Sequence, residues 1–317
     1  MKIIKEKINI NDDNILKNEN SIVFDIETTG FHRVYTNVYL IGYIRKFEDG
    51  YYLVQHFAET PKEEPQIIMD FFNSLSQIDL LISFNGDAFD IPYLNARAEY
   101  YGINSPLKDI ESYDIYKKIK ASNHILNLQN YKLKTIEEYL GIYREDIYSG
   151  KDLINMYKTF IINDDFKLLN IMLLHNKEDL IGLIDVAKIL NIIDSENSFE
   201  IADSKYVLNS IKIQKDLLII DGYTDYSDYI GYIGPISFNI KSNTFDYQLP
   251  LISMNYSDKI KCQFVELDSI GDIEPINHYD IDFPNSIYLL KYDKDILHQN
   301  VKELLNITIE LMTKNSR

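Results

Sequence analysis

The run Ser-Ile-Val-Phe-Asp-Ile at 21–26, followed by Glu27, sets two acids into an apolar stretch. Side chains alternate faces along a strand, so Asp25 and Glu27 point the same way. Two carboxylates on one face of an apolar strand repel each other. Burial adds a desolvation cost that raises both pKa values. A divalent cation would compensate both effects. An exposed strand end with two solvated acids would explain the same residues without a cation.

The surrounding pattern decides what kind of sheet this strand joins. Residues 38–46 and 51–57 are rich in Tyr, Ile, Leu and Val and flank Glu48-Asp49-Gly50, which predicts an antiparallel meander. Ile67, Ile68, Phe71, Phe72 and Leu75 recur at helical spacing and predict a helix over 61–76. An apolar strand at 80–84 leads to a helix over 89–101, closed by Gly102. Short helices follow across 112–160, one ending at Gly141 and another opening after Gly150. Asn163-Asp164-Asp165 caps a long helix reaching about residue 192. Strands alternating with helices predict a layered α/β fold.

Past the polar stretch at 194–198 the chain changes character. Short runs rich in Ile and Tyr, split by Asp-Gly and Gly-Tyr pairs, predict antiparallel strands within 205–220 and 232–251. An amphipathic helix at 301–313 closes the chain. A length of 317 residues suits two domains. The expected division is 1–199 and a smaller β-rich domain, 200–317, which carries no recognisable motif.

Composition removes several function classes. The chain is 45% hydrophobic and 26% charged, enough apolar residue to build a core, which excludes disorder as the main state. The net charge of −17 argues against a nucleic-acid coat protein, which draws its affinity from excess Lys and Arg. It leaves open an enzyme that meets phosphates through metal ions. Cys262 is the one cysteine, so no internal disulfide, Cys-based zinc site or iron–sulfur cluster can form. The opening MKIIKEKINI alternates Lys with Ile and lacks the apolar core of a secretory signal. No apolar run approaches the roughly 20 residues of a membrane span, and a cytoplasmic location is expected.

Two further segments carry chemistry. Phe84-Asn85-Gly86-Asp87-Ala88-Phe89-Asp90 lies where a strand turns into a helix, the usual place for a ligand in an α/β sheet. Asp90 can add a third carboxylate there, and Asn85 a hydrogen bond to substrate. A helix N-terminal acid and a plain turn explain the same residues without a ligand. His175 and Asp179, in His-Asn-Lys-Glu-Asp, are four apart and share a helix face. That face offers a carboxylate beside an imidazole able to take a proton from water near neutral pH. Acids at 25, 27, 90 and 179 with a His at 175 give the layout of a two-metal phosphodiester hydrolase, whose ions lie roughly 3.5–4 Å apart. An oxygen-rich ligand set favours Mg²⁺ or Mn²⁺.

These three segments resemble the three exonuclease motifs of the DEDD (DnaQ-like) superfamily. Residues 128–141, Leu-Gln-Asn-Tyr-Lys-Leu-Lys-Thr-Ile-Glu-Glu-Tyr-Leu-Gly, and 144–150, Arg-Glu-Asp-Ile-Tyr-Ser-Gly, narrow the resemblance to its YprB-type ribonuclease H-like domain, over about residues 20–192. The resemblance implies a ribonuclease H-like mixed sheet flanked by helices. It also implies a metal-dependent 3′–5′ exonuclease acting on single-stranded DNA or RNA ends with two divalent cations. By it, Asp25, Glu27, Asp90 and Asp179 bind metal, and His175 falls where the family's general base sits. In the family's Tyr form three residues separate the Tyr from the final Asp, and in its His form four separate the His. Here a His stands at the Tyr-form spacing.

Asn85, Thr28, Phe89, Arg144 and Lys132 form the expected substrate-contact set. Lysines 117, 118, 120, 132 and 134 form an acid-free stretch interleaved with Tyr116, His124 and Tyr131, the best local phosphate-tracking surface in an acidic chain. A solvated helix face reads equally well. Arg97 and Arg144 are forks suited to phosphate, although Arg144 beside Glu145 and Asp146 also suits a local ion pair. The rival functions are a catalytically inactive nucleic-acid- or protein-binding module and a structure-specific endonuclease, with the C-terminal domain available to bind a protein partner.

Overall fold

The computed structural model describes residues 1–10, 15–16, 19–126, 128–201 and 203–314, the side chains of 123 and 124 excepted. His124 of the lysine-rich stretch therefore lies outside the described side chains. The elements of the first part are β1 (Lys2–Ile8), β2 (Ser21–Thr28), β3 (Val38–Phe47), β4 (Gly50–Phe57), α1 (Glu64–Ser74), β5 (Leu80–Ser83), α2 (Asp90–Tyr101) and β6 (Glu111–Asp114). Then come α3 (Ile115–Ala121), α4 (Asn123–Leu126), α5 (Leu133–Tyr139), α6 (Gly150–Asn163), α7 (Phe166–Val186) and α8 (Lys188–Asn197). The chain divides into two compact units, 1–120 with 128–190, and 121–127 with 191–317.

The first unit is a mixed α/β layer. Its six-stranded sheet runs β1-β4-β3-β2-β5-β6. The pairs from β1 to β2 are antiparallel, while β5 and β6 continue parallel to β2. β2 is therefore central and buried on both sides, and its two faces carry different chemistry. Ile22, Phe24 and Ile26 pack under α1 and α2 with Ile67, Ile68, Phe71, Tyr93 and Leu94. Val23, Asp25 and Glu27 alternate to the opposite face. On that face Tyr39, Leu40 and Phe57 pack against Leu153, Tyr157, Phe160, Leu169 and Met172 of α6 and α7. The period of two in a central strand is thus what turns both acids toward α7.

Three features depart from the sequence expectation. The Lys-Ile alternation at the N-terminus is β1, an edge strand on which Lys5 and Lys7 are exposed, a common guard against edge pairing. β6 is too short and polar to show an apolar pattern, yet it pairs with β5. The long helix ends at Val186, caps at Ala187, and α8 follows as a separate segment.

The second unit contains β7 (Ser198–Ile201), β8 (Ser204–Gln214), β9 (Leu217–Thr224), β10 (Tyr229–Ile233), β11 (Ile236–Lys241) and β12 (Thr244–Pro250) in one antiparallel sheet. β13 (Ile252–Asn255), β14 (Lys261–Glu266), β15 (Ile287–Tyr292) and β16 (Asp295–Ile296) form a second. Each predicted stretch, 205–220 and 232–251, spans a hairpin rather than one strand. Ser242 and Asn243, with φ of 52° and 63°, form the turn between β11 and β12, as the right-handed twist of hairpins favours. α9 (His298–Lys314) buries Val301, Leu304, Leu305, Ile309 and Met312 in a core with Tyr206, Phe238, Phe245 and Tyr247. A cut at 199/200 would fall inside β7. The polar stretch at 194–198 marks a helix end, while packing changes partner nearer Leu190.

Candidate active site

The four acids come from three elements. Asp25 and Glu27 project from β2, Asp90 opens α2, and Asp179 lies on α7. Asp90 is 5% exposed, and its Oδ1 accepts the backbone N–H of Ile26 at 3.3 Å, which ties the start of α2 to the acid-bearing strand. Asp25 Oδ2 accepts from Asn176 Nδ2 at 2.9 Å. Asn176 is fully buried, and its Oδ1 accepts from Gln55 Nε2 on β4 at 2.9 Å. This amide chain joins three elements and holds Asp25.

Gly42 makes room for that chain. It pairs with Asp25 in the β2–β3 ladder, and a Cβ there would overlap Asn176 Oδ1 and crowd Leu180. Gly42→Ala is therefore expected to push Asn176 off Asp25. Divalent-metal affinity, measured by calorimetric titration with Mn²⁺, should fall by about 10-fold or more, as for other lost ligand supports. Asn176→Ala should reproduce most of this loss and add little to it in the double variant, because the two changes remove one interaction.

His175 is 12% exposed and sits between carboxylates. Its Nδ1 is paired with Asp146 Oδ2 at 2.6 Å. Its Nε2 faces Asp179 Oδ2 at 3.3 Å and Glu27 Oε1 at 3.6 Å. Burial works to lower the imidazole pKa, but the surrounding Asp179, Glu27 and Asp146 outweigh it and hold it above the ordinary value. Asp146 lies in the loop between α5 and α6. Glu178 fixes that loop by accepting the backbone N–H groups of Glu145 and Asp146 at 3.1 and 2.8 Å.

Electrostatics distinguish this cluster from a solvated acidic surface. Burial, then the charges of Asp179, Asp90 and Glu27, push Asp25 well above the carboxylate range against the opposing Asn176 bond. Burial lifts Glu27 to about 8, with His175 opposing and Asp179 and Asp90 assisting. Burial lifts Asp90 to about 7 despite the backbone N–H groups it accepts. Ligand atoms of Glu27, His175 and Asp179 lie within 4.8 Å of one another. A cluster of oxygen donors and one imidazole, with carboxyl pKa values raised, fits a hard divalent cation.

A family model of the RNase_H superfamily (RNase_H_2) matches residues 22–191, more than half of the chain. The chain belongs to the RNase H superfamily. It is 30% identical over 173 residues to YprB of Bacillus subtilis (strain 168), which covers 53% of this chain and 41% of YprB. It is 43% identical over 58 residues to a DNA polymerase of Methanocaldococcus jannaschii, covering 18% of this chain and 4% of the polymerase. The chain thus spans less than half the length of either relative. Among solved structures, the family B DNA polymerase of Pyrobaculum calidifontis aligns with TM-score 0.43 and 18% identity, over 55% of this chain and 25% of that one. Exonuclease I of E. coli, in complex with a dT13 oligonucleotide, aligns with TM-score 0.38 and 11% identity, over 63% and 54%.

In this YprB-type ribonuclease H-like unit, the expected substrate contacts fall into different places. A cleft of about 590 Å³ is lined by Asp25 and Asp179 with Asn85 and Lys132. Asn85 has φ of 65°, and its N–H is held by buried Asp114 Oδ1 at 2.8 Å. Thr28 and Phe89 are not among the cleft's lining residues. Thr28 Oγ1 donates to the Gly30 carbonyl at 2.9 Å, and Phe89 packs on Phe31 and Tyr93. Arg144 holds buried Glu137 through Nε and Nη2, both at 2.6 Å, and reaches Asp179 through Nη1. Arg97 is 3% exposed and paired with Glu64. Lys117 pairs with Asp87, Lys118 lies over Tyr113, and Lys120 lies over Tyr116.

Sequence reasoning missed Gln55, Glu137 and the role of Asp146. Gln55 did leave a signal, a polar residue inside an apolar strand. Asp146 left none, because it acts through His175, 29 residues away, and Glu137 left none, because its burial under Arg144 is set by packing against α7. Among the described residues no helix is long and apolar enough to cross a membrane.

Proposed function

We propose that the protein is a metal-dependent nuclease, a 3′–5′ exonuclease of the DEDD type acting on single-stranded nucleic-acid ends. The observation that carries this reading is the clustering of Asp25, Glu27, Asp90 and Asp179, with His175 beside Glu27 and Asp179 and three of the acids held at raised pKa. Two divalent cations, Mg²⁺ or Mn²⁺, fit the oxygen donors. When bound they supply charge neutralisation and Lewis-acid polarisation at a phosphodiester.

The chain's own residues do the rest. Gln55 and Asn176 orient Asp25. Asp146 fixes the tautomer of His175 by holding Nδ1, so Nε2 is the ring atom at which a proton is taken from the attacking water or returned. Asp114 sets the backbone of Asn85 at the cleft, where its amide meets the substrate strand, and Lys132 meets a phosphate at the mouth. We assign this chemistry to residues 1–199.

A second reading, a binding module without catalysis, has one observation in its favour: Arg144 contacts Asp179 Oδ1 and so neutralises one acid without a metal ion. One experiment decides between them. Strands of 5′-labelled single-stranded DNA and RNA are incubated with Mn²⁺, with and without EDTA. A ladder shortening from the 3′ end, absent with EDTA, is expected. Intact strands under Mn²⁺ and Mg²⁺ alike would leave the binding module. Cleavage of circular single-stranded DNA would show an endonuclease instead.

A further inference from the structure

One acid of the cluster already has a cation of its own. Arg144, in the segment between α5 and α6, contacts Asp179 Oδ1 through Nη1. Among the described residues no lysine or arginine forms an ion pair with Asp25, Glu27 or Asp90. The guanidinium is anchored from behind. Its Nε and Nη2 donate to Glu137 of α5, both at 2.6 Å, and Glu137 is 1% exposed. A Cβ at Gly182 of α7 would overlap Glu137 Oε1 and lie 3.1 Å from Arg144 Nη2, so the pair fills the space beside that helix. The next residues hold the same helix. Glu178 accepts the backbone N–H groups of Glu145 and Asp146, and Asp146 pairs with His175. Asp179 lines the cleft, whereas Arg144 is not among the cleft's lining residues.

We propose that Arg144 is a built-in counter-charge that competes with metal for Asp179 and so holds down the affinity of the free protein for divalent cations. The proposal rests on the nuclease reading for its metal ions and deepens it. Nη1 takes up a lone pair of Oδ1 that a cation would use. Anchored on Glu137, the guanidinium stays within a few ångströms of any ion that Asp179 takes. At that range even a water-like dielectric leaves the repulsion between a unit charge and a dication worth about tenfold in affinity. A residue that only oriented Asp179 would act with the opposite sign, because losing a ligand support weakens metal binding. The carboxylate keeps its orientation without Arg144, since α7 carries it and His175 Nε2 faces its Oδ2 at 3.3 Å.

Calorimetric titration of the full chain with Mn²⁺ at one pH tests this. Glu137→Gln keeps the guanidinium and serves as the reference. Adding Arg144→Met to it removes the counter-charge without stranding a buried carboxylate, and should tighten Mn²⁺ binding about tenfold. Equal or weaker binding once Arg144 is gone overturns the proposal, as does a lack of Mn²⁺ binding by both proteins. Wild type supplies a second measurement that needs no variant. The chain has five arginines, so ¹⁵N-arginine labelling gives few side-chain signals, and that of Arg144 is assigned from its own backbone amide. Mg²⁺ should shift the Arg144 guanidinium signals as ion and guanidinium come to share one carboxylate. Signals unmoved at saturating Mg²⁺ count against the proposal as decisively as equal affinities. Strand hydrolysis by wild type with Mn²⁺ is scored separately. Tighter binding without Arg144 but no hydrolysis by wild type removes the nuclease reading and leaves the counter-charge, while hydrolysis with equal affinities does the reverse.

Discussion

Asp25→Asn is expected to lower strand hydrolysis by at least about 10³-fold and, in the same protein, to raise the melting temperature of the metal-free form. On the proposed reading the activity loss follows from removing one of the acids assigned to metal. A cation's charge stabilisation is worth several kcal/mol, and each 1.36 kcal/mol is tenfold in rate. The stability gain has the opposite sign because Asp25 is ionised at a cost. Its carboxyl is pushed up by burial and by three neighbouring acids. A carboxyl with a higher pKa folded than unfolded binds its proton more tightly in the fold. Its stabilisation is complete below the unfolded value near 4 and is lost as pH rises through the folded value. For Glu27 that value is about 8, and for Asp90 about 7.

Metal-free wild type should therefore melt lower at pH 8 than at pH 5. Asp25→Asn should flatten that dependence and raise the pH 8 melting temperature by about 3 °C, the equivalent of roughly 1 kcal/mol in a unit of this size. Mn²⁺ should raise the melting temperature of wild type and leave the variant nearly unchanged. Scanning calorimetry with EDTA or Mn²⁺ checks all of this. A variant that melts lower than wild type without metal would contradict the account of the acid cluster.

Arg144→Met is expected to destabilise the ribonuclease H-like unit by about 3–5 kcal/mol, the usual cost of stranding a buried charge. Glu137 is 1% exposed, and burial already lifts its pKa against the pull of Arg144. Without the guanidinium nothing opposes that lift. Gly182 on α7 shows how closely the pair is enclosed, since a Cβ there would overlap Glu137 Oε1. A melting temperature about 10 °C lower is expected, with most of it recovered in Glu137→Gln/Arg144→Met, where no unpaired charge remains. The sequence alone left Arg144 as either a substrate clamp or a member of a local ion pair with Glu145 and Asp146. A clamp would raise KM with the melting temperature unchanged, so thermal denaturation beside steady-state kinetics separates the two roles.

Local pattern and long-range contact explain what could be read in advance. The central strand, the helices over 61–76 and 89–101 and the facing of Asp25 with Glu27 follow from periods of two and 3.6, which any short window displays. The three motifs led to the family in the same way. What stayed hidden depends on partners far along the chain. Gln55 reaches Asn176 across 121 residues, and Asp146 reaches His175 across 29. β6 escaped because Glu111-Ser-Tyr-Asp lacks an apolar face, and the break at Ala187 because its flanks are both helix-forming. In the second unit the runs were legible as β but not as pairs of strands, since Lys215, Ser242 and Asn243 turn the chain without Gly or Pro.

The bond between Asn176 and Asp25 closes a loop of 151 residues. It therefore bears on the order in which the protein forms. As the chain leaves the ribosome, β2 to β4 can pair early, because their contacts are local. Asp25 and Glu27 then have no counterpart until α7 is synthesised, and meanwhile they keep water on that face of the sheet. Docking of α7 buries Asn176 and brings Asp179 to the acids of β2. The acid cluster cannot be complete before α7 docks, so on the proposed reading metal binding would report that both ends of the unit have met.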